Sequence, residues 1–385
     1  IMKMIEDVLS PSFSISMPLK HSIQMQEQQM INITSQQMAI LQFLQHQKKV
    51  GIYGGAGTGK TILGMHKSME FASQGLKTLF LCFNRSLSSF LYQSFLSSLP
   101  SKETKGSLII RNAHDMVSKL SYKYKIPLEK NFDKNKEAKN KYFNEYYPEV
   151  LMTITEQMDE KFDAIVVDEG QDFNDLWWAA FDSLKKDDGN IYVFFDNNQL
   201  VQKRTQSEFL QEKNLNLYPL IENFRNSQQI FHSMESFYTG MKIVPKGPEG
   251  QNIELIEVKD IDDQFSQTAK LVDRLLKEGI KPYEIGIINF TRLEKKGIGP
   301  LIKQTTGQQV NSTTDRDAWS KDVIIMDSVA RFKGLEKNII ILTNLSNLNE
   351  KTSELYVGMS RAKHMLYVLS TEEQIKQFKM ITNNE

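Results

Sequence analysis

The run Gly54-Gly55-Ala56-Gly57-Thr58-Gly59-Lys60-Thr61 has the residue types and spacing that hold a nucleotide's phosphates, a complete Walker A pattern. Glycines at Gly54, Gly57 and Gly59 let backbone N–H groups close around a β-phosphate, and a helix opening at Lys60 adds its positive dipole end. Lys60 is then the cation for the β- and γ-phosphates, and the Thr61 hydroxyl is a magnesium ligand. Hydrolysis needs carboxylates at the end of a neighbouring strand. Phe162-Asp163-Ala164-Ile165-Val166-Val167-Asp168-Glu169-Gly170-Gln171-Asp172 supplies them. Asp168, first after the apolar run, holds the metal shell, and Glu169 orients and deprotonates the attacking water. ATP and Mg²⁺ are therefore the expected ligands.

Such groups must be positioned by a parallel sheet. Val50–Tyr53 reads as a short buried strand before the Gly-rich turn, and Thr61–Ala72 as a helix with an apolar stripe ending near Gly75. Continuous apolar strands follow at Thr78–Phe83, Ala164–Val167 and Tyr192–Phe195. A second set comes after about residue 222, at Ile253–Val258, Ile285–Ile288, Val323–Met326, Ile339–Leu342 and Met365–Leu369. The stretch Asp262–Glu278 is a helix with Phe265, Ala269, Val272 and Leu276 on one face. Short, wholly apolar strands alternating with helices predict an α/β fold of two units, each a parallel sheet covered on both faces. Residues 1–30, rich in Met, Gln and Ser without clear periodicity, read as an extended lead-in. A small helical insertion is expected over about 119–158.

At 385 residues the chain can hold two or three cores, and 40% hydrophobic with 24% charged residues is ordinary for a globular protein. Lys plus Arg equals Asp plus Glu at 47 each, so any nucleic-acid site has to be a local basic patch. One cysteine, Cys82, excludes an intrachain disulfide and a Cys-rich zinc site, and its apolar surroundings make it a buried thiol. Without an apolar run of about 18 residues or a secretory pattern, the expected setting is reducing and cytoplasmic, with no membrane. A start at Ile1 leads to the expectation of further chain upstream.

The Asp-Glu-x-Gln-Asp pattern at 168–172 resembles the UvrD/Rep/PcrA group of superfamily 1 helicases, and further pieces fall in that family's order. Asn32–Ile40 resembles its glutamine motif, with Gln36 implied to read adenine. Asn84-Arg85 and Ala113-His114 resemble two motifs that contact the nucleic-acid strand. Gln199, in Asp196-Asn197-Asn198-Gln199, matches the glutamine that links the γ-phosphate to the strand. Glu222-Asn223-Phe224-Arg225 resembles a motif in which Phe224 stacks on adenine and Arg225 touches the γ-phosphate. Phe332-Lys333-Gly334-Leu335-Glu336 matches Lys-Gly-Leu-Glu, with Gly334 at the nucleotide and Glu336 on ribose. Tyr356–Lys363 matches the last motif, with Arg361 as a second γ-phosphate arginine. The resemblance covers residues 31 to about 370. It implies two RecA-like P-loop domains, 31–222 and 223–385, with ATP between them and movement on single-stranded DNA, 3′ to 5′. RNA stays open as the track.

The chain departs from that family in two places. Large subdomains are cut to about 119–158 and to Leu293–Ser320, and Gln199 lacks the aromatic-Arg-Gly continuation that stacks a base. The shortened pattern looks most like the helicase half of NERD-nuclease/helicase fusions and compact phage-defence helicases. A separate nuclease or defence subunit is then the implied partner. The alternative is an ATP-gated regulatory module in which hydrolysis switches a partner.

Other residues admit plainer readings. The lysines from Lys119 to Lys141, interleaved with Tyr122, Tyr124 and Tyr142, could grip phosphates, but a solvated helical face is preferred. Trp177-Trp178 read as packing. Asp172 reads as an N-cap or ion-pair partner. His114 stays open between a loop histidine and a strand contact.

Overall fold

The computed structural model describes residues 19–95, 107–129, 135–196, 214–238, 240–291, 297–315, 317–345, 348 and 350–382. Six strands build the first sheet: β1 (Lys49–Gly54), β2 (Lys77–Cys82), β3 (Ser107–Asn112), β4 (Phe162–Val167), β5 (Lys185–Phe195) and β6 (Asn216–Leu220). Their order is β3-β2-β4-β5-β1-β6, and every neighbouring pair is parallel. A two-residue pair, β7 (Glu222–Asn223) with β8 (Val244–Pro245), follows. The second sheet holds β9 (Glu254–Glu257), β10 (Ile285–Asn289), β11 (Gln309–Asn311), β12 (Val323–Ser328), β13 (Lys337–Thr343) and β14 (Ala362–Ser370). It is also wholly parallel, in the order β11-β12-β10-β13-β14-β9. The fold is mixed α/β with two RecA-like parallel sheets flanked by helices.

Apolar runs make these strands central, because a parallel sheet covered on both faces leaves no polar side. Leu79 and Leu81 of β2 point into a cluster with Trp177, Trp178 and Phe181, while Phe80 points the other way, into a cluster with Leu63 and Phe194. That second cluster continues into Ile340, Leu342 and Tyr356, so one apolar body joins both units. Trp177 and Trp178 have no exposed surface and are packing residues. Cys82 is buried, and burial pushes its thiol well up, with Asp168 and Glu169 adding to the effect.

Three expectations need correction. Residues 1–18 lie outside the described residues, but from Leu19 the lead-in is helical: Leu19–Phe43 is one continuous helix. At its amino end the buried positions, Leu19, Ile23 and Gln26, recur every three or four residues, a period hidden in the sequence because Gln26 is polar. Next, the carboxylate strand β4 is not the neighbour of β1. Strand β5 lies between them, so the acidic loop faces the P-loop across one strand width. The stretch 119–158 is helical over most of its described residues, with 126–129 irregular, but Lys119 falls inside the helix Ala113–Tyr124 that leaves β3. The helices Lys136–Lys141 and Tyr147–Glu156, joined by a wide turn at Tyr142–Tyr146, complete that region.

Replacing Trp177 by Ala removes a buried ring and its Nε1–H bond to the Phe143 carbonyl (3.1 Å). Equilibrium urea unfolding should record a loss of about 3–5 kcal/mol; a loss under 1 kcal/mol would contradict the placement of this ring in the core.

Candidate nucleotide site between the two sheets

Parallel sheets bring loops together at the carboxyl ends of their strands. In the first sheet that edge carries the P-loop after β1, Asn84 after β2, His114 after β3, Asp168 and Glu169 after β4, and Asp196 after β5. Facing it are segments that enter the amino ends of β13 and β14: Lys333–Glu336 and Ser360–Arg361.

The P-loop turns through left-handed backbone at Gly57 (φ 78°) and Gly59 (φ 84°), and the helix Lys60–Ser73 starts directly after. A Cβ at Gly57 would lie 2.2 Å from Nδ2 of Asn223, so the position has no room for a side chain. Gly54 closes β1. Lys60 Nζ donates to the carbonyls of Gly54 and Gly55, 2.7 Å each, and lies 3.8 Å from the Asp196 carboxylate. The Thr58 hydroxyl donates to Gly55 O at 2.9 Å.

Asp168 is fully buried, and its backbone N–H is tied to Leu81 O at 2.8 Å. Burial, then the adjacent Glu169, pushes its carboxyl up to about 7 against the opposing pull of the Thr61 hydroxyl and Lys60. Its Oδ2 has no hydrogen-bond partner among the described residues. Glu169 takes a left-handed backbone (φ 54°), a conformation that L side chains adopt only when their surroundings enforce it. Gln171 holds the Glu169 carboxylate in place: its Nε2 donates to Glu169 Oε2 (2.5 Å), and its Oε1 accepts the Asp196 N–H (3.0 Å). Burial alone would raise Glu169, but Lys333, Lys60 and Arg361 together hold it below the usual carboxylate range.

Lys333 is the site residue that sequence reading passed over. Its Nζ donates to both oxygens of Asp172 at 2.7 Å and lies 3.6 Å from Glu169. Burial opposes its charge, but Glu169 and Asp172 hold its pKa above the ordinary lysine value. Asp172 is thus an ion-pair partner between the two sheets. Gly334, at φ 80°, allows the approach, since a Cβ there would lie 2.6 Å from Leu87.

The implied nucleotide residues of the second unit are otherwise engaged. Arg225 forms an ion pair with Glu336. Arg361 is buried and donates through Nε to Val357 O (2.9 Å) and through Nη2 to the Ser360 hydroxyl (2.9 Å). Phe224 is half-buried, and its N–H meets Gly57 O at 3.2 Å. Gln36 lies in the helix Leu19–Phe43, with its side chain outside the described residues, as is all of Gln199.

Of the implied strand contacts, Asn84 has a different environment. Its Nδ2 reaches the carbonyls of Arg331 (3.0 Å) and Lys333 (2.9 Å), closing the end of a short helix in the second unit. It clasps the two units. Arg85 is exposed and lines a polar cavity of about 330 Å³ with Tyr92, Arg111, Lys119, Thr313 and Trp319. His114 is ringed by Phe83, Phe143 and Trp177 at 5.0 to 5.5 Å, and burial lowers its pKa to about 4. It is neutral at pH 7 and brings no charge to a phosphate. Tyr122 is solvated, whereas Tyr142 packs beneath the insertion.

Two asparagines bind the P-loop to the second sheet. Asn223 Nδ2 donates to Ala56 O and to Asn226 Oδ1, both at 2.9 Å, and Asn226 Nδ2 donates to Ser360 O (3.1 Å) and Ala362 O (2.6 Å). The Ala56 N–H donates to Tyr356 Oη at 2.8 Å.

Residues 20–186 match the family described as type III restriction enzyme, res subunit. Three solved structures are similar in part. The C-terminal domain of a possible DNA helicase from Lactobacillus plantarum WCFS1 matches 38% of this chain and 87% of its own, at 20% identity and TM-score 0.32. The PRRSV helicase matches 85% of this chain and 53% of its own, at 11% identity and TM-score 0.45. Arterivirus nonstructural protein 10, a helicase solved with DNA, matches 87% and 63%, at 10% identity and TM-score 0.41. The chain therefore spans less than two thirds of the length of either viral helicase. The family match over 20–186 supports a place in the helicase superfamily at large. Among the described residues, no helix is long and apolar enough to cross a membrane.

Asn223→Ala strands the Ala56 carbonyl and the N–H groups of Arg225 and Asn226, which Asn223 Oδ1 accepts at 3.2 and 3.1 Å. Chemical denaturation should show about 1–3 kcal/mol lost, and a neutral result would mean that the joint is held elsewhere.

Proposed function

We propose that this chain is a magnesium-dependent ATPase of the UvrD-like superfamily 1 kind that moves along single-stranded DNA. ATP would sit between a first unit, 31–222, and a second, 223–385. What carries the reading is the opposition of Lys60, Asp168 and Glu169 on one sheet edge to Lys333 at 3.6 Å from Glu169, with Arg361 behind it.

The residues suit magnesium. The Thr61 hydroxyl and the buried, unpartnered Oδ2 of Asp168 offer two hard oxygens, the donor type this ion selects. When bound, magnesium neutralises the β- and γ-phosphate oxygens. Lys60 exchanges its own loop carbonyls for those phosphates. Glu169, kept ionised by Lys333, accepts the proton of the attacking water, with Gln171 fixing the direction of its carboxylate. Arg225 reaches the γ-phosphate by leaving Glu336, and Glu336 then turns to ribose. Such arginines contribute about 10³–10⁵ in rate once in place. The interunit cavity beside Arg85, Arg111 and Lys119 offers charge for a strand's phosphates, and Tyr92 and Trp319 offer rings for its bases. By resemblance the direction is 3′ to 5′ and the partner a nuclease or defence subunit, while the single buried Cys82 suits a reducing, cytoplasmic setting; native purification without such a subunit would count against the partner.

The apolar body shared by both sheets, with the Asn84 clasp, favours one second reading: an ATP-gated switch whose units stay together. Steady-state ATPase rates decide between the two. Stimulation that grows with the length of single-stranded DNA belongs to a motor; a rate indifferent to DNA and RNA belongs to a switch.

Lys60→Ala should weaken ATP binding, while Glu169→Gln should retain it and stop turnover; normal hydrolysis by Glu169→Gln would remove the assigned base. Lys333→Met takes away the cation that holds Glu169 down. The carboxyl then rises, and the acid limb of the rate profile should move to higher pH. An unmoved limb would show that Lys333 does not act on the base. Replacing Arg85 and Lys119 by Ala should shallow the salt dependence of DNA binding by roughly one to two phosphate contacts, as read by fluorescence anisotropy.

A further inference from the structure

The helix Leu19–Phe43 touches both units. At roughly 1.5 Å per residue its 25 residues extend about 37 Å. At its carboxyl end, Leu41 and Leu44 enter the core beside Ile52 and Tyr192. The Tyr192 hydroxyl lies 2.7 Å from Leu44 O and 2.8 Å from Gln47 O, and Gln47 Nε2 donates to the Tyr218 hydroxyl at 2.6 Å. That end belongs to the first unit.

The other end belongs to the second unit. Leu19 and Ile23 lie in the cluster of Val272, Ile285 and Leu369. Gln26, also buried, donates through Nε2 to Glu249 O at 2.7 Å, and its Oε1 meets His364 Nδ1 at 2.5 Å. Burial, with Lys363 nearby, lowers His364 to about 3, so the ring is neutral. The amide oxygen can only accept, which assigns the proton to Nδ1. A neutral amide–imidazole pair and two aliphatic side chains make a specific contact free of buried charge.

We propose that this helix is a strap that holds the two units at the spacing of their shared cleft, with Leu19, Ile23 and Gln26 as the end docked on the second unit. A continuous helix fixed at both ends sets the distance between its anchors, so the units separate only if one anchor lets go. The amino-terminal anchor is the smaller of the two, because the carboxyl end runs on into β1.

Dyes on Tyr122→Cys and Met380→Cys report the spacing. These positions are 89% and 78% exposed, one on each unit, while the native Cys82 is buried. Single-molecule energy transfer should give one narrow distribution in the otherwise native chain and with Ile23→Leu. Gln26→Ala, and more so Ile23→Asp with Gln26→Ala, should broaden it towards lower efficiency, with a cooperative urea transition retained as the check on folding. Unchanged distributions in both undocked variants overturn the strap. The effect on nucleotide rests on the proposed ATPase: a cleft closed for only a fraction of the time raises the apparent KM for ATP, about five-fold if that fraction falls five-fold, with kcat within about two-fold. A changed distribution with an unchanged KM removes the link to the cleft. If even the unaltered chain hydrolyses no ATP, the ATPase reading fails, and energy transfer alone still decides the strap.

Discussion

The bond from Asn223 to the carbonyl of Ala56, continued through Asn226 to the carbonyls of Ser360 and Ala362, is the constraint on which the site depends. A P-loop is a string of glycines with little stiffness of its own. In this chain its middle residue is held at both backbone groups, the carbonyl by Asn223 and the N–H by Tyr356. The loop's shape is therefore set jointly by its own sheet and by the strand ends of the other. A displacement of the second sheet cannot leave Ala56 where it was. The geometry of the P-loop is thereby tied to the position of the second sheet through a handful of ordinary hydrogen bonds.

A second layer of control is electrostatic. Asp168 and Glu169 are adjacent and buried, and two anions so placed cannot both be ionised at low cost. The chain separates them by environment. Asp168 faces the P-loop and is raised, whereas Glu169 faces a lysine from the other sheet and is lowered. Lys333 in turn has two carboxylates around it, so none of the three charges is buried alone. One acidic pair thereby acquires two protonation habits, and the difference depends on the units being together.

Much of this was legible in the sequence, because some signals are local. Glycines at Gly54, Gly57 and Gly59 before Lys60, and the apolar runs of β1, β2, β4 and β10, follow from short-range chemistry alone. Edge strands were harder. Strand β3 mixes Ser107 and Arg111 with its aliphatics, and β6 contains Pro219, which a sheet tolerates only at its edge. Pairings were not legible at all. Nothing in the order of residues says that Lys333 meets Asp172, that Asn84 closes a helix nearly 250 positions away, or that Gln26 finds His364. A resemblance to a known motif assigned Asn84 and Arg225 to ligands, yet in this chain both side chains are bound to protein.

The strand order also has a consequence for how the molecule comes into being. Strand β1, which bears the P-loop, is early in the chain, but both its neighbours, β5 and β6, are made last in the first sheet. During synthesis β1 waits without a partner until β5 is complete at Phe195, and it is flanked on both sides only once the chain has passed residue 220. Meanwhile β2, β3 and β4 can pair with one another, since they are mutual neighbours. Such long-range closure is slow and exposes an apolar edge while it lasts. The strand that bears the P-loop is therefore among the last parts of its own sheet to be flanked on both sides, and a ribosome-bound chain shorter than this cannot complete that arrangement.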